Sequence, residues 1–131
     1  MKQKSLLYLI MTALLSLTGC SSSNQAKSSD YKKLTAKEAQ DIISEESDIT
    51  ILDVRTESEY LSGHIANSIL LPYDLISEQA ESVLPDKDQK ILIYCRSGRR
   101  SEIAAKELIS LGYTDVNDFG GIIDWPYEVV K

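Results

Sequence analysis

Two short apolar runs, "ITILDV" at Ile49–Val54 and "KILIYC" at Lys90–Cys95, limit the fold more than any other feature of the chain. Each is nearly unbroken and rich in β-branched residues, the pattern of a strand covered on both faces. Such strands need helices above and below them, and helix-like segments stand around both runs. "TAKEAQDIISEE" opens with Thr35 followed by Glu38, a capping-box pattern, and places Ala39, Ile42 and Ile43 on one face. "TESEYLSG" predicts a short helix, "SILLP" a strand ended by Pro72, and "YDLISEQAESVL" a further helix stopped at Pro85. "RRSEIAAKELISLG" sets Ala104, Leu108 and Leu111 at i, i+4 and i+7, supports its exposed side with Glu102 before Lys106, and ends at Gly112. "DVNDF" reads as a last short strand and "GGIIDWPYEVV" as a turn into a short closing segment. Strands alternating with helices at this spacing predict an α/β fold, a mostly parallel sheet with helices on both faces.

The chain has 131 residues, of which 43% are apolar, enough for one modest core. Residues 1–19 read as an export signal: Lys2 and Lys4 supply positive charge, Leu6–Leu17 form a short apolar stretch, and "LTGC" follows at once. That stretch is too short to stay in a bilayer as a spanning helix. "LTGC" resembles the lipobox of bacterial lipoproteins, which implies that Cys20 is lipidated and becomes the first mature residue. The expected location is a membrane surface outside the cytoplasm, with the inner or outer membrane left open. Residues 20–33, with "SSSNQAKSSDYKK" after Cys20, read as a flexible Ser-rich tether to a folded domain at 34–131. Cleavage removes two of 14 basic residues and leaves 12 against 20 acidic, a net charge of −8 that disfavours nucleic acid as a partner.

With Cys20 acylated, Cys95 is the only thiol left, and a lone thiol in an oxidising compartment points to reactivity over a disulfide. Cys95 ends a predicted central strand just before a helix, and in such sheets sites form beyond the carboxyl ends of the strands. The helix N-terminus and Arg96, Arg99 and Arg100 each favour thiolate over thiol. Gly98 lets the chain turn so that successive N–H groups point into one cradle. Three arginines and a glycine also argue against burial of the thiol in an apolar core. A thiolate in an anion-binding loop suits a sulfurtransferase or a cysteine-dependent phosphatase. A Cys-x5-Arg phosphatase needs an arginine clamp at the position held here by Ser101, with Arg100 one residue early. The shorter loop makes a tighter cradle, suited to the single outer sulfur of a persulfide.

From about Leu34 to Val130 the chain resembles the single-domain rhodaneses, thiosulfate sulfurtransferase-like proteins. The residues that carry the resemblance are "LDVR" (Leu52–Arg55), "EYLSGHI" (Glu59–Ile65), "YCRSGRRS" (Tyr94–Ser101), and Gly120 and Gly121 with Trp125 after them. The resemblance implies a five-stranded parallel sheet and an active-site loop from Cys95 to Arg100. It implies Cys95 as the nucleophile that takes up sulfane sulfur, with the N–H groups of Arg96, Ser97, Gly98, Arg99 and Arg100 cradling the persulfide. The resemblance also implies that Asp53 and Arg55 help fix the loop and that Glu59 pairs with a loop arginine, but a purely structural ion pair, which needs no catalytic role, is the favoured reading of these residues. His64, in "GHI", is expected to be structural.

The expected reaction is double displacement between a small-molecule sulfur donor and a thiol or cyanide acceptor, with no metal or organic cofactor. Arg96 and Arg99 are the expected anion binders, and Arg100 is expected to fold back on the structure. The competing readings are a phosphatase or arsenate-reducing enzyme, and a non-catalytic sulfur carrier or binding module. The sequence carries no mark of oligomeric state.

Overall fold

The computed structural model describes residues 30–131. The signal peptide read at 1–19, Cys20 and the tether up to residue 29 lie outside the described residues. In chain order the elements are β1 (Lys32–Lys33), α1 (Ala36–Glu45), β2 (Ile49–Asp53), α2 (Glu57–Ser62), β3 (Ile69–Leu70), α3 (Ile76–Val83), β4 (Lys90–Cys95), α4 (Arg99–Ser110) and β5 (Val116–Gly121). The strands form one five-stranded sheet in the order β1-β5-β4-β2-β3, and every neighbouring pair is parallel.

Sequence explains the central strand directly. Ile91, Leu92, Ile93, Tyr94 and Cys95 of β4 are all buried, because strand alternation sends them to two different cores. Ile91, Ile93 and Cys95 pack with Ala104, Ala105 and Leu108 of α4 and with Ile76 and Ala80 of α3. Leu92 and Tyr94 pack on the other face with Ala39 of α1, Ile51, Phe119 and Trp125. Burying side chains of this size stabilises the fold by roughly 2 kcal/mol each. The capping box read at Thr35 and Glu38 is present: the Thr35 hydroxyl accepts from the Glu38 N–H, and the Glu38 carboxylate accepts from the Thr35 N–H.

The structure corrects three boundaries. Lys32 and Lys33, read as tether, pair with Asn117 and Asp118 of β5, so order begins before Leu34. The Tyr73–Leu75 segment is a 3-10 turn that leads into α3, which covers only the rest of the predicted helix. Gly120 and Gly121, read as a turn, are the last residues of β5, and the turn follows at Ile122–Asp124. Between the pairs Ile93↔Asp118 and Cys95↔Gly121 the register shifts, so β5 spends three residues where β4 spends two. This bulge brings the two glycines against the segment that follows Cys95.

Candidate active site

Cys95 closes β4, and α4 starts at Arg99 with Gly98 as its N-cap in a left-handed conformation, φ +105°. A residue with a Cβ is strained there, which is why glycine makes this turn. The turn points the Gly98 N–H at the Cys95 Sγ, 3.0 Å away, and the Ser101 Oγ lies 3.6 Å from the same sulfur. The first-turn amides of α4 have no acceptor inside the helix, so this end of it favours negative charge.

One expectation needs correction. The arginine-rich loop does not keep the thiol out of the core: Cys95 is only 1% exposed and belongs to the apolar cluster under α3 and α4. Alternation along β4 puts Cys95 on the face of Ile91 and Ile93, while the arginines belong to the loop, which has already turned toward solvent. The polar groups that meet this sulfur are the Gly98 N–H of the loop and the Ser101 hydroxyl in the first turn of α4.

The glycine pair at the end of β5 explains how the loop sits. A Cβ at Gly121 would collide with the carbonyl group of Arg96 and with the Cα of Ser97. The Ile123 N–H donates to the Arg96 carbonyl at 3.2 Å, which fastens the first peptide of the loop to the turn after β5. A Cβ at Gly98 would lie 3.7 Å from the Gly120 Cα, so the backbone of β5 passes close beside the turn.

The three arginines divide by role. Arg100 is bound in bidentate fashion by Glu59 of α2, at 3.0 and 2.8 Å, and that hydrogen-bonded pair holds the Glu59 carboxyl below the usual carboxylate range. Arg96 and Arg99 are exposed, and among the described residues neither has an ion-pair partner. Beside Arg99 an open groove of about 390 Å³ runs between Lys33–Leu34, Ser97–Arg99 and Asp118–Gly120, and Cys95 does not line it.

Asp53 and Arg55 stand elsewhere. Asp53 pairs in register with Tyr94, so its side chain shares the Tyr94 face of the sheet, opposite to Cys95. Its carboxylate accepts from the Arg55 guanidinium at 2.7 to 3.1 Å and from the Tyr94 hydroxyl at 2.7 Å. Arg55 also donates to the Gly63 carbonyl, and the Tyr94 hydroxyl accepts from the Ile65 N–H. Burial, opposed by the Ser68 hydrogen bond and aided by the Asp53 charge, keeps the Tyr94 hydroxyl above the ordinary phenol range and so able to donate. Of the two readings of Asp53 and Arg55, the geometry fits the favoured one, a structural ion pair, and not the fixing of the loop: they brace Tyr94, the residue before Cys95, from behind the sheet. His64 is structural, stacked on Tyr60 at 3.7 Å with its Nδ1 on the Tyr60 carbonyl and its backbone bridged to Val130. Among the described residues no group of His, Cys, Asp and Glu is placed to hold a metal ion.

The family model of the Rhodanese-like domain matches this chain over residues 35–126, which include this loop. The chain belongs to the rhodanese-like family. It is 34% identical over 80 residues to the thiosulfate sulfurtransferase PspE of Escherichia coli strain K12, an alignment covering 61% of this chain and 77% of PspE. It is 33% identical over 96 residues to the thiosulfate sulfurtransferase GlpE of Coxiella burnetii strain RSA 331, covering 72% of this chain and 87% of GlpE. Among solved structures, a rhodanese-related protein from Thermoplasma volcanium superposes with a TM-score of 0.67 at 35% identity, covering 76% of this chain and 98% of that one.

In this rhodanese-like domain the structure gathers Cys95, Arg96, Ser97, Gly98, Arg99 and Arg100 in one loop and adds Glu59 through Arg100, while Asp53 and Arg55 stay behind the sheet. Sequence reasoning weighed Ser101 only as a missing arginine, yet its hydroxyl is fully buried beside the sulfur. A polar residue on the inner face of a helix that is otherwise Ala and Leu is the signal that would have found it.

Proposed function

We propose that this rhodanese-like domain is a thiosulfate sulfurtransferase-type enzyme that carries sulfane sulfur on Cys95. The Cys95 thiolate attacks the outer sulfur of thiosulfate or a related donor; the donor's S–S bond breaks, and sulfite leaves with the bonding electron pair. The resulting persulfide, Cys–S–S⁻, is then attacked at its outer sulfur by a thiolate or cyanide, which restores the Cys95 thiolate. The observation that carries this reading is the Gly98 N–H aimed at the Cys95 sulfur from the start of α4, beneath a loop whose Arg96 and Arg99 have no ion-pair partner among the described residues. A donor anion entering the mouth meets those two charges, and the growing negative charge on sulfur meets backbone N–H groups. The relatives named as thiosulfate sulfurtransferases support the same chemistry.

The arrangement disfavours a phosphatase. Ser101 holds the position of the clamping arginine, and Arg100, the nearest substitute, is already engaged by Glu59 at both oxygens. The direct test is thiocyanate production from thiosulfate and cyanide: activity in the wild type that is lost in Cys95→Ser supports the proposal, and full activity in that variant refutes it. We further propose that lipid on Cys20 holds the domain at a membrane outside the cytoplasm. Cys20→Ser then moves the protein from the membrane fraction to the soluble fraction, and unchanged membrane association refutes the anchor.

A further inference from the structure

The Ser101 hydroxyl has one hydrogen to give and faces two carbonyl acceptors and the Cys95 thiol, which donates to it. The Gly98 carbonyl lies at 3.0 Å, the Gly120 carbonyl at 3.5 Å and the Cys95 Sγ at 3.6 Å. Ser101 is fully buried in the first turn of α4, so no bulk solvent competes for these contacts. Together with the Gly98 N–H on the sulfur, the contacts close a ring: Cys95 S–H to Ser101 Oγ, Ser101 O–H to Gly98 C=O, and Gly98 N–H back to Cys95 Sγ. A thiol fits this ring as drawn, because it has one hydrogen to donate.

A thiolate does not fit it. Once the Cys95 proton has gone to solvent, the sulfur only accepts, and the Ser101 oxygen has lost the hydrogen it was accepting. Rotation of the Ser101 hydroxyl about its Cβ–Oγ bond then turns its hydrogen from the Gly98 carbonyl to the sulfur. The carbonyl it leaves is not orphaned, since it also accepts the Glu102 N–H at 3.2 Å. The exchange therefore gains a charge-assisted hydrogen bond and strands no buried acceptor.

We infer that Ser101 is a positioning residue whose hydroxyl switches between the Gly98 carbonyl, when Cys95 is a thiol, and the Cys95 sulfur, when Cys95 is a thiolate. This rests on the reading of Cys95 as the nucleophile, but its test needs no sulfur donor. Iodoacetamide alkylation of the full-length protein is followed across pH and read at the Cys95 peptide by mass spectrometry. In Ser101→Ala the alkylation profile moves to higher pH by about one unit, so that at a fixed pH below the midpoint the rate falls about tenfold. A purely packing role for Ser101 lowers stability and leaves the profile in place, so superimposed profiles overturn the inference. A second reading uses the wild type alone: the carbonyl carbon resonance of Gly98 shifts with the same midpoint as Cys95 alkylation. A resonance that stays flat through that midpoint also overturns the switch, whether or not Ser101→Ala folds. A protein that passes both tests yet takes up no sulfur from thiosulfate counts against the sulfurtransferase reading and leaves the switch standing.

Discussion

On one face of the sheet Asp53 and Arg55, 0% and 5% exposed, bind each other and are closed off by Tyr94 and the Gly63 carbonyl. On the other side of the same strand ends, Arg96 and Arg99 stand in solvent with no ion-pair partner among the described residues, above a sulfur that meets the Gly98 N–H. Both regions place arginines at the carboxyl end of the sheet. In the first, the charges satisfy one another, so the cluster has nothing left to bind and acts as a brace. In the second, the Arg96 and Arg99 charges have no ion-pair partner among the described residues, which is what an incoming anion requires. Saturation of partners, more than the presence of charge, separates the structural cluster from the candidate catalytic one.

The difference can be broken from either side. Asp53→Ala has the largest expected effect: it strands Arg55 as a buried cation and removes the acceptor of the Tyr94 hydroxyl. A loss of about 3–5 kcal/mol in urea denaturation is expected. The protein that remains folded should alkylate at Cys95 as the wild type does, because the brace lies behind the sheet; a change in that reactivity without loss of stability would erase the distinction. Gly121→Ala acts on the loop itself, since its Cβ has to displace the Arg96 carbonyl. It is expected to cost about 1–3 kcal/mol in stability but about a hundredfold in kcat/KM for sulfur transfer, as the loop is pushed off the sulfur.

Glu59→Gln sharpens the comparison, because the Arg100–Glu59 pair is a small, half-exposed version of the buried one. Glu59 titrates below its ordinary range when folded, so its contribution is present at pH values above the unfolded-state carboxylate range and fades as pH falls through the folded-state value. The variant is expected to be less stable than the wild type by about 1 kcal/mol near neutral pH, with the gap closing below the carboxylate range. Urea midpoints at neutral and acid pH measure it, and a gap that persists in acid contradicts the ion-pair account.

Much of this arrangement was legible in the sequence because it rests on local rules. The unbroken apolar runs give β2 and β4, Thr35 and Glu38 mark the start of α1, and the loop between Cys95 and the helix places the sulfur by chain continuity alone. Other parts depend on register, which no single segment encodes. Asp53 is on the Tyr94 face only because Asp53 pairs with Tyr94, and the resemblance alone put it beside the loop. Lys32 and Lys33 carry no apolar alternation and become a strand only because β5 offers an open edge. Gly120 and Gly121 read as a turn, yet they stay in the strand, and at Gly121 the loop after β4 takes the room that a side chain would fill. Ser101 was hidden by its own helix: its position follows from the sequence, but its closeness to the sulfur follows from the tight left-handed turn at Gly98.

The central claim is that Cys95 carries the sulfur, and it is tested most directly by mass spectrometry of the protein after incubation with thiosulfate, with Cys95→Ser alongside. The account predicts a gain of about 32 Da, one sulfur atom, that maps to the Cys95 peptide, is reversed by added thiol and is absent from the variant. A Cys95 peptide that keeps a free thiol and its original mass, while the protein remains folded, would contradict it.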